Sequence, residues 1–162
     1  MQVRDIMTQP VQTIDVYASA HDAAAVMALH GVGALLVVDD GQLVGIVTDR
    51  DLIARCMAQG TTPETIPVRA IMTPNPVTAS PRDTLEIAAL MLGDHAIRRL
   101  PVMERGRAVG IVSADDIARF SADDVLIGEM MRRIATYTAP PLVHTGEAPF
   151  MVQAAPAGYS GA

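Results

Sequence analysis

Gly45-Ile46-Val47-Thr48-Asp49-Arg50-Asp51-Leu52 returns, 65 residues later, as Gly110-Ile111-Val112-Ser113-Ala114-Asp115-Asp116-Ile117. In each copy a glycine and two aliphatics end a buried type of strand, and a hydroxyl followed three residues on by aspartate opens a helix. A second stretch keeps the same register: Val3-Arg4-Asp5-Ile6-Met7-Thr8 returns as Val68-Arg69-Ala70-Ile71-Met72-Thr73. Thr13 and Thr78, His30 and His95, and Gly41 and Gly106 also stand 65 apart. The match runs ungapped over more than fifty positions with about a third identical, which identifies an internal duplication.

Working outward, residues 19–29 form a helical stretch that opens on the capping residue Ser19 and stops at Gly31. Its counterpart is predicted to open at Ser80-Pro81 and to run through Leu85, Ile87, Ala88 and Met91 to about Asp94. Two short strands follow, 34–38 and 43–47, joined by the hairpin signal Asp39-Asp40-Gly41-Gln42; their copies are 99–103 and 108–112 around Arg105-Gly106. A further helix follows each hairpin, beginning at Thr48 and at Ser113. The chain therefore divides into a first repeat (1–60), a linker (61–67), a second repeat (68–122), a helix (123–137) with Val125, Ile127, Met130, Met131 and Ile134 at helical spacing, and a tail (138–162) rich in Ala, Pro and Gly. The linker is too short for independent motion, so the repeats are expected to pack face to face.

Composition narrows the function. With 50% hydrophobic and 19% charged residues, the 162-residue chain is built for a packed core. No apolar run approaches the roughly 18 residues of a membrane span, and an acid precedes any hydrophobic stretch at the N-terminus, so neither a membrane nor a secretory route is expected and the location is read as cytoplasmic. A net charge of −6 supplies no field for phosphate backbones, which argues against nucleic acid. Cys56 is the sole cysteine, which excludes an intrachain disulfide and fits a reducing compartment. Aromatics make up 3% of residues and Trp is absent, so a flat ligand has to lie between aliphatic side chains and backbone.

The repeated hydroxyl and aspartate have two readings. A reciprocal capping box explains the spacing of Thr48 with Asp51, and of Ser113 with Asp116, by itself. The same geometry suits a ligand: a helix start attracts anions, the hydroxyl reaches a phosphate or sugar, and a carboxylate accepts from two vicinal hydroxyls. Gly45 and Gly110 would then let that ligand approach the backbone.

The Asp5-Ile6-Met7-Thr8 opening, the helix and hairpin, Leu100-Pro101-Val102 and the paired Gly-Ile-Val-Thr/Ser endings resemble a tandem pair of CBS domains, the Bateman module, over roughly residues 3–122. The resemblance implies an α+β fold with a β-α-β-β-α unit per repeat and pseudo-twofold packing. It further implies two clefts for an adenosine-type ligand (AMP, ADP, ATP, NAD(H) or S-adenosylmethionine), no other cofactor, a regulatory rather than catalytic role, a homodimer, and an unidentified protein partner. Each cleft is implied to mix the repeats. One would combine Thr48 and Asp51 with Met72, Pro76, Val77, Ile97, Arg98 and Arg99; the other would combine Ser113 and Asp116 with Met7, Val11, Val32, Gly33 and Ala34. Arg98 and Arg99 against Gly33 and Ala34 make the clefts unequal, and the first is expected to prefer phosphorylated ligands.

Other candidates read as structural. His30 and His95 fall at helix ends, where a cation suits the dipole; His21 and His144 lack partners at metal spacing and read as surface, as does Arg50. Met7 and Met72 also suit core filling, and Cys56 reads as a small buried hydrophobe. Asp39, Asp40 and Glu104 are too dispersed to form a general acid and base pair. With no Walker lysine, no GxSxG and no Cys/His dyad, an enzyme is not expected. The alternative to a sensor is a purely structural dimer module with empty clefts, its 121–162 extension docked on a neighbour.

Overall fold

In the computed structural model, residues 1–136 are described, and the expected tail at 138–162 and His144 lie outside them. A 3-10 turn at Val3–Asp5 leads into β1 (Thr13–Asp15), α1 (Ala20–His30), β2 (Ala34–Asp39), β3 (Gln42–Thr48) and α2 (Asp49–Asp51). From α2 the chain continues through a π turn, Leu52–Cys56, and a 3-10 turn, Met57–Gln59. The second repeat contains α3 (Val68–Ile71), β4 (Thr73–Pro74), α4 (Leu85–Asp94), β5 (Arg99–Glu104), β6 (Arg107–Ser113) and α5 (Ala114–Phe120), followed by α6 (Asp124–Thr136).

Local chemistry sets these boundaries. Ser19 and Asp22 cap α1 reciprocally: Asp22 N–H donates to Ser19 Oγ (3.1 Å) and Ser19 N–H to Asp22 Oδ2 (3.0 Å). The Ser19 hydroxyl and backbone N–H hold the Asp22 carboxyl below its ordinary pKa. Gly31, at φ +63°, ends the helix in the left-handed conformation. The hairpins close on Asp40-Gly41 and Arg105-Gly106, all four residues at positive φ, as two-residue turns matching strand twist require. One boundary differs from expectation. Helix α4 is capped by Thr84, which stands 65 residues after Ser19, and not by Ser80. Ser80 N–H donates to Asp83 Oδ2 (2.7 Å) and Asp83 N–H to the Ser80 carbonyl (3.1 Å), so Ser80-Pro81 is consumed in a turn ahead of the helix.

The sheets show how the repeats are joined. The first has the order β1-β2-β3-β4, with β1 parallel to β2 and the rest antiparallel. Its edge strand β4 comes from the second repeat. The second sheet is the pair β5-β6, flanked by single bridges, Ala79 with Val102 and Thr8 with Ile111, which reproduce the flanks of the first sheet at the repeat offset. Thr8 belongs to the first repeat. The repeats thus trade their opening segments.

Packing confirms the trade. Val3 and Ile6 lie buried with Leu85, Leu92, Leu100, Val112 and Ile117 of the second repeat, whereas Val68 and Ile71 complete the core of Ile14, Met27, Leu35, Val47 and Cys56. Backbone bonds fix both crossings, Val3 N–H to the Asp83 carbonyl and Val68 N–H to the Ala18 carbonyl, each 2.8 Å. Helix α6 packs on α4 through Met130 and Ile134, while Val125, though at helical spacing, is 75% exposed. Gly93 permits this approach: an added Cβ would stand 3.1 Å from Arg133 Cδ, and Arg133 pairs with Asp94 and Glu129.

Ile71 is fully buried in the first core although it belongs to the second repeat. Ile71→Ala should therefore lower unfolding free energy by about 2–5 kcal/mol. Urea titration should show one transition moving as a whole, with both repeats losing structure together.

Candidate functional site

At each strand-to-helix corner the backbone sets a reciprocal box. Thr48 N–H and Oγ1–H donate to Asp51 Oδ2 (2.9 and 2.8 Å), and Asp51 N–H donates to Thr48 Oγ1 (3.2 Å). The copy is nearly superposable: Ser113 N–H and Oγ–H donate to Asp116 Oδ2 (2.8 and 2.6 Å), and Asp116 N–H donates to Ser113 Oγ (3.2 Å). All four residues are half-buried. The capping reading of the spacing is thus realised in both repeats. Each hydroxyl proton is already committed to its carboxylate, which leaves the second carboxylate oxygen, Oδ1, of each aspartate outside the box.

The other repeat's opening segment lies against each box. Gly45 pairs with Pro74 and Ile46 with Thr73 on the Thr48 side, and Thr8 pairs with Ile111 on the Ser113 side. These crossings bring Met72 to the first box and Met7 to the second. They also correct the role expected for the glycines. A Cβ on Gly45 would collide with Met72 Sδ, and one on Gly110 would stand 2.7 Å from Met7 Sδ. The space beside each glycine is filled by the methionine of the traded segment.

The remaining expected residues divide. The register pairs Ala34 with Thr48 and Arg99 with Ser113, so the backbone at the start of each hairpin strand lies beside the box of its own repeat. Val32, Gly33 and Ala34 accordingly border the Thr48 box, where Asp49 N–H donates to the Gly33 carbonyl (3.2 Å). Arg98 is likewise displaced from its expected cleft: its carbonyl accepts from Ala114 N–H (3.0 Å) and its exposed guanidinium stands 3.8 Å from Asp115. Arg99 does cross. A Cβ on Gly33 would stand 3.1 Å from Arg99 Nη2 and 3.0 Å from Asp49 Oδ2, so guanidinium and carboxylate converge there. Arg98 lies in the bend before β5 and Arg99 is the first residue of the strand, and there the two arginines part. Val77 and Ile97 pack on the second core, Pro76 is half-buried beyond β4, and the half-buried Val11 precedes β1.

Arg55 was absent from the sequence-derived set. It lies in the π turn with its Nε 3.4 Å from Asp51 Oδ1, and it donates through Nη1 to the carbonyls of Ile71 (2.9 Å) and Met72 (3.0 Å). The signal was present: Arg55 is four residues after Asp51, and the matching position, 65 further on, is Phe120. Cys56 is buried as expected, and His21 stands 3.6 Å from Glu64. Among the described residues no cluster of three or more His, Cys, Asp or Glu is arranged to hold a metal, and no helix is long and apolar enough to cross a membrane.

Two duplicated α+β units with traded openings define a paired-repeat class of fold. The chain belongs to the CBS domain family, whose model matches residues 3–58 and 68–123. It is 40% identical over 116 residues to the CBS domain-containing protein YhcV of Bacillus subtilis, covering 72% of this chain and 82% of that one. A conserved CBS domain protein of unknown function, TA0289 from Thermoplasma acidophilum, superposes with a TM-score of 0.75 at 26% identity over 84% of this chain and 77% of that one. The CBS domain pair of protein MJ0100, solved in complex with 5′-methylthioadenosine and S-adenosyl-L-methionine, superposes with a TM-score of 0.67 at 32% identity, covering 74% of this chain and 94% of that one.

The methionine–glycine contacts can be tested through stability. Gly45→Ala should cost about 1–3 kcal/mol by overpacking. Adding Met72→Ala should recover part of that loss, so a double-mutant cycle read by urea denaturation should give a coupling of about 0.5–3 kcal/mol.

Proposed function

We propose that the protein is a non-catalytic regulatory module that binds an adenosine-containing ligand, such as AMP, ATP, NAD(H) or S-adenosylmethionine, beside the two hydroxyl–carboxylate boxes. The observation that carries this reading is the recurrence of the same box at both corners, each faced by the opening segment of the other repeat. A carboxylate oxygen aimed at such a junction accepts from a ribose diol, while the aliphatic Met, Val and Pro side chains around it suit an adenine face in a chain poor in aromatics. The ligand-bound CBS pair of MJ0100 supports the same ligand class. Because each junction joins segments of both repeats, a ligand that binds one arrangement of them more tightly shifts their packing, and with it the affinity for a partner.

Isothermal titration with AMP, ATP, NADH and S-adenosylmethionine should give saturable heats for at least one of them, and the double variant Asp51→Ala/Asp116→Ala should abolish them. Silence from all four ligands up to millimolar concentration overturns the reading.

A structural role in self-association is favoured by a separate observation. Leu29 is 80% exposed at the end of α1, and Ile53 (60%) and Met57 (64%) are exposed in the turns that follow α2. Apolar surface of this kind marks an association face. Sedimentation velocity should show a dimer for the wild type, and Leu29→Glu/Met57→Glu should shift it toward monomer without changing the far-ultraviolet spectrum.

A further inference from the structure

We infer that Arg55 occupies the first box from within, so that the two repeat-related sites are unequal and Asp116, not Asp51, is the carboxylate open to a ligand. The inference rests on the nucleotide reading above and assigns its specificity. Asp51 Oδ2 is bonded by its own Thr48, and Asp51 Oδ1 faces Arg55 Nε at 3.4 Å; the side chains are only 13% and 26% exposed. The guanidinium is held in place from its far side by the carbonyls of Ile71 and Met72, which belong to the traded opening segment of the other repeat. A sugar diol arriving at Asp51 has to displace a cation that is itself bonded at two further points.

The second box carries no such group. Position 120, the counterpart of Arg55, is Phe120, 45% exposed, which offers no donor to Asp116. Asp116 Oδ2 is bonded by Ser113 as in the first repeat, and its Oδ1 has no hydrogen-bond or ion-pair partner among the described residues. The local helix differs in step with this. The segment after Asp51 relaxes into a π turn at Leu52–Cys56, with Arg55 inside it, while α5 stays α-helical over Ala114–Phe120. Arg98, exposed beside Asp115 at the start of α5, is the cation placed to meet a phosphate at the open box. The ranking expected from Arg98 and Arg99 alone is thereby reversed.

The test is the stoichiometry of AMP and S-adenosylmethionine binding by isothermal titration to wild type, Asp116→Ala and Arg55→Phe, the last placing in the first repeat the residue the second carries. Wild type should bind one equivalent per chain, Asp116→Ala should weaken it at least tenfold, and Arg55→Phe should add a second equivalent. Should Arg55→Phe fail to fold, Arg55→Gln, which keeps a polar stem but removes the charge, should give the same gain. Two equal sites in the wild type, or undiminished binding by Asp116→Ala, overturns the inference while leaving the nucleotide reading standing. No binding by the wild type at all overturns both.

Discussion

The structure depends on the trade of opening segments between the repeats. Val3 and Ile6 complete one core and Val68 and Ile71 the other, so each hydrophobic cluster closes only with residues from the opposite half of the chain. Burying such a side chain stabilises by about 1.5–3 kcal/mol, a large share of the margin by which a small domain stays folded. The sheet pairings, the methionines beside Gly45 and Gly110, and the position of both boxes relative to the foreign segment all follow from this one arrangement.

Much of the architecture was legible because it is written twice. The constant offset revealed the duplication, and caps such as Ser19, turns such as Asp40-Gly41 and breakers such as Gly31 act through near neighbours, so their positions could be read locally. Ser80-Pro81 misled for an equally local reason: serine followed by proline suits a helix start and a tight turn alike, and Asp83 decides for the turn. The fold itself was expected from the family resemblance and is the one observed.

The sites were legible only in part. The boxes could be read from a spacing of three residues, and the crossing of Met7 and Met72 from the resemblance. What the sequence left open was direction. Whether Arg98 or Arg99 crosses depends on how the chain bends into β5, and the role of Gly45 depends on where a side chain from another segment comes to rest. Arg55 pairs with Asp51 at a local spacing of four, but its bonds to the Ile71 and Met72 carbonyls, 16 and 17 residues away across a change of repeat, lie beyond the reach of any local pattern. The repeats match at both boxes and depart from symmetry at Arg55 and Phe120, so the duplication shows the departure as clearly as the match.

The tether Thr61–Pro67 takes on a particular meaning in such a molecule. A lone repeat could fill its core only by meeting a second copy in solution, an encounter that fails on dilution. Seven residues of chain convert it into an event within one molecule, at an effective concentration on the order of millimolar for short linkers. Duplication in tandem thus frees the assembly of the two halves from cellular abundance, and it allows the halves to diverge, one keeping an arginine where the other has a phenylalanine, without losing each other as partners.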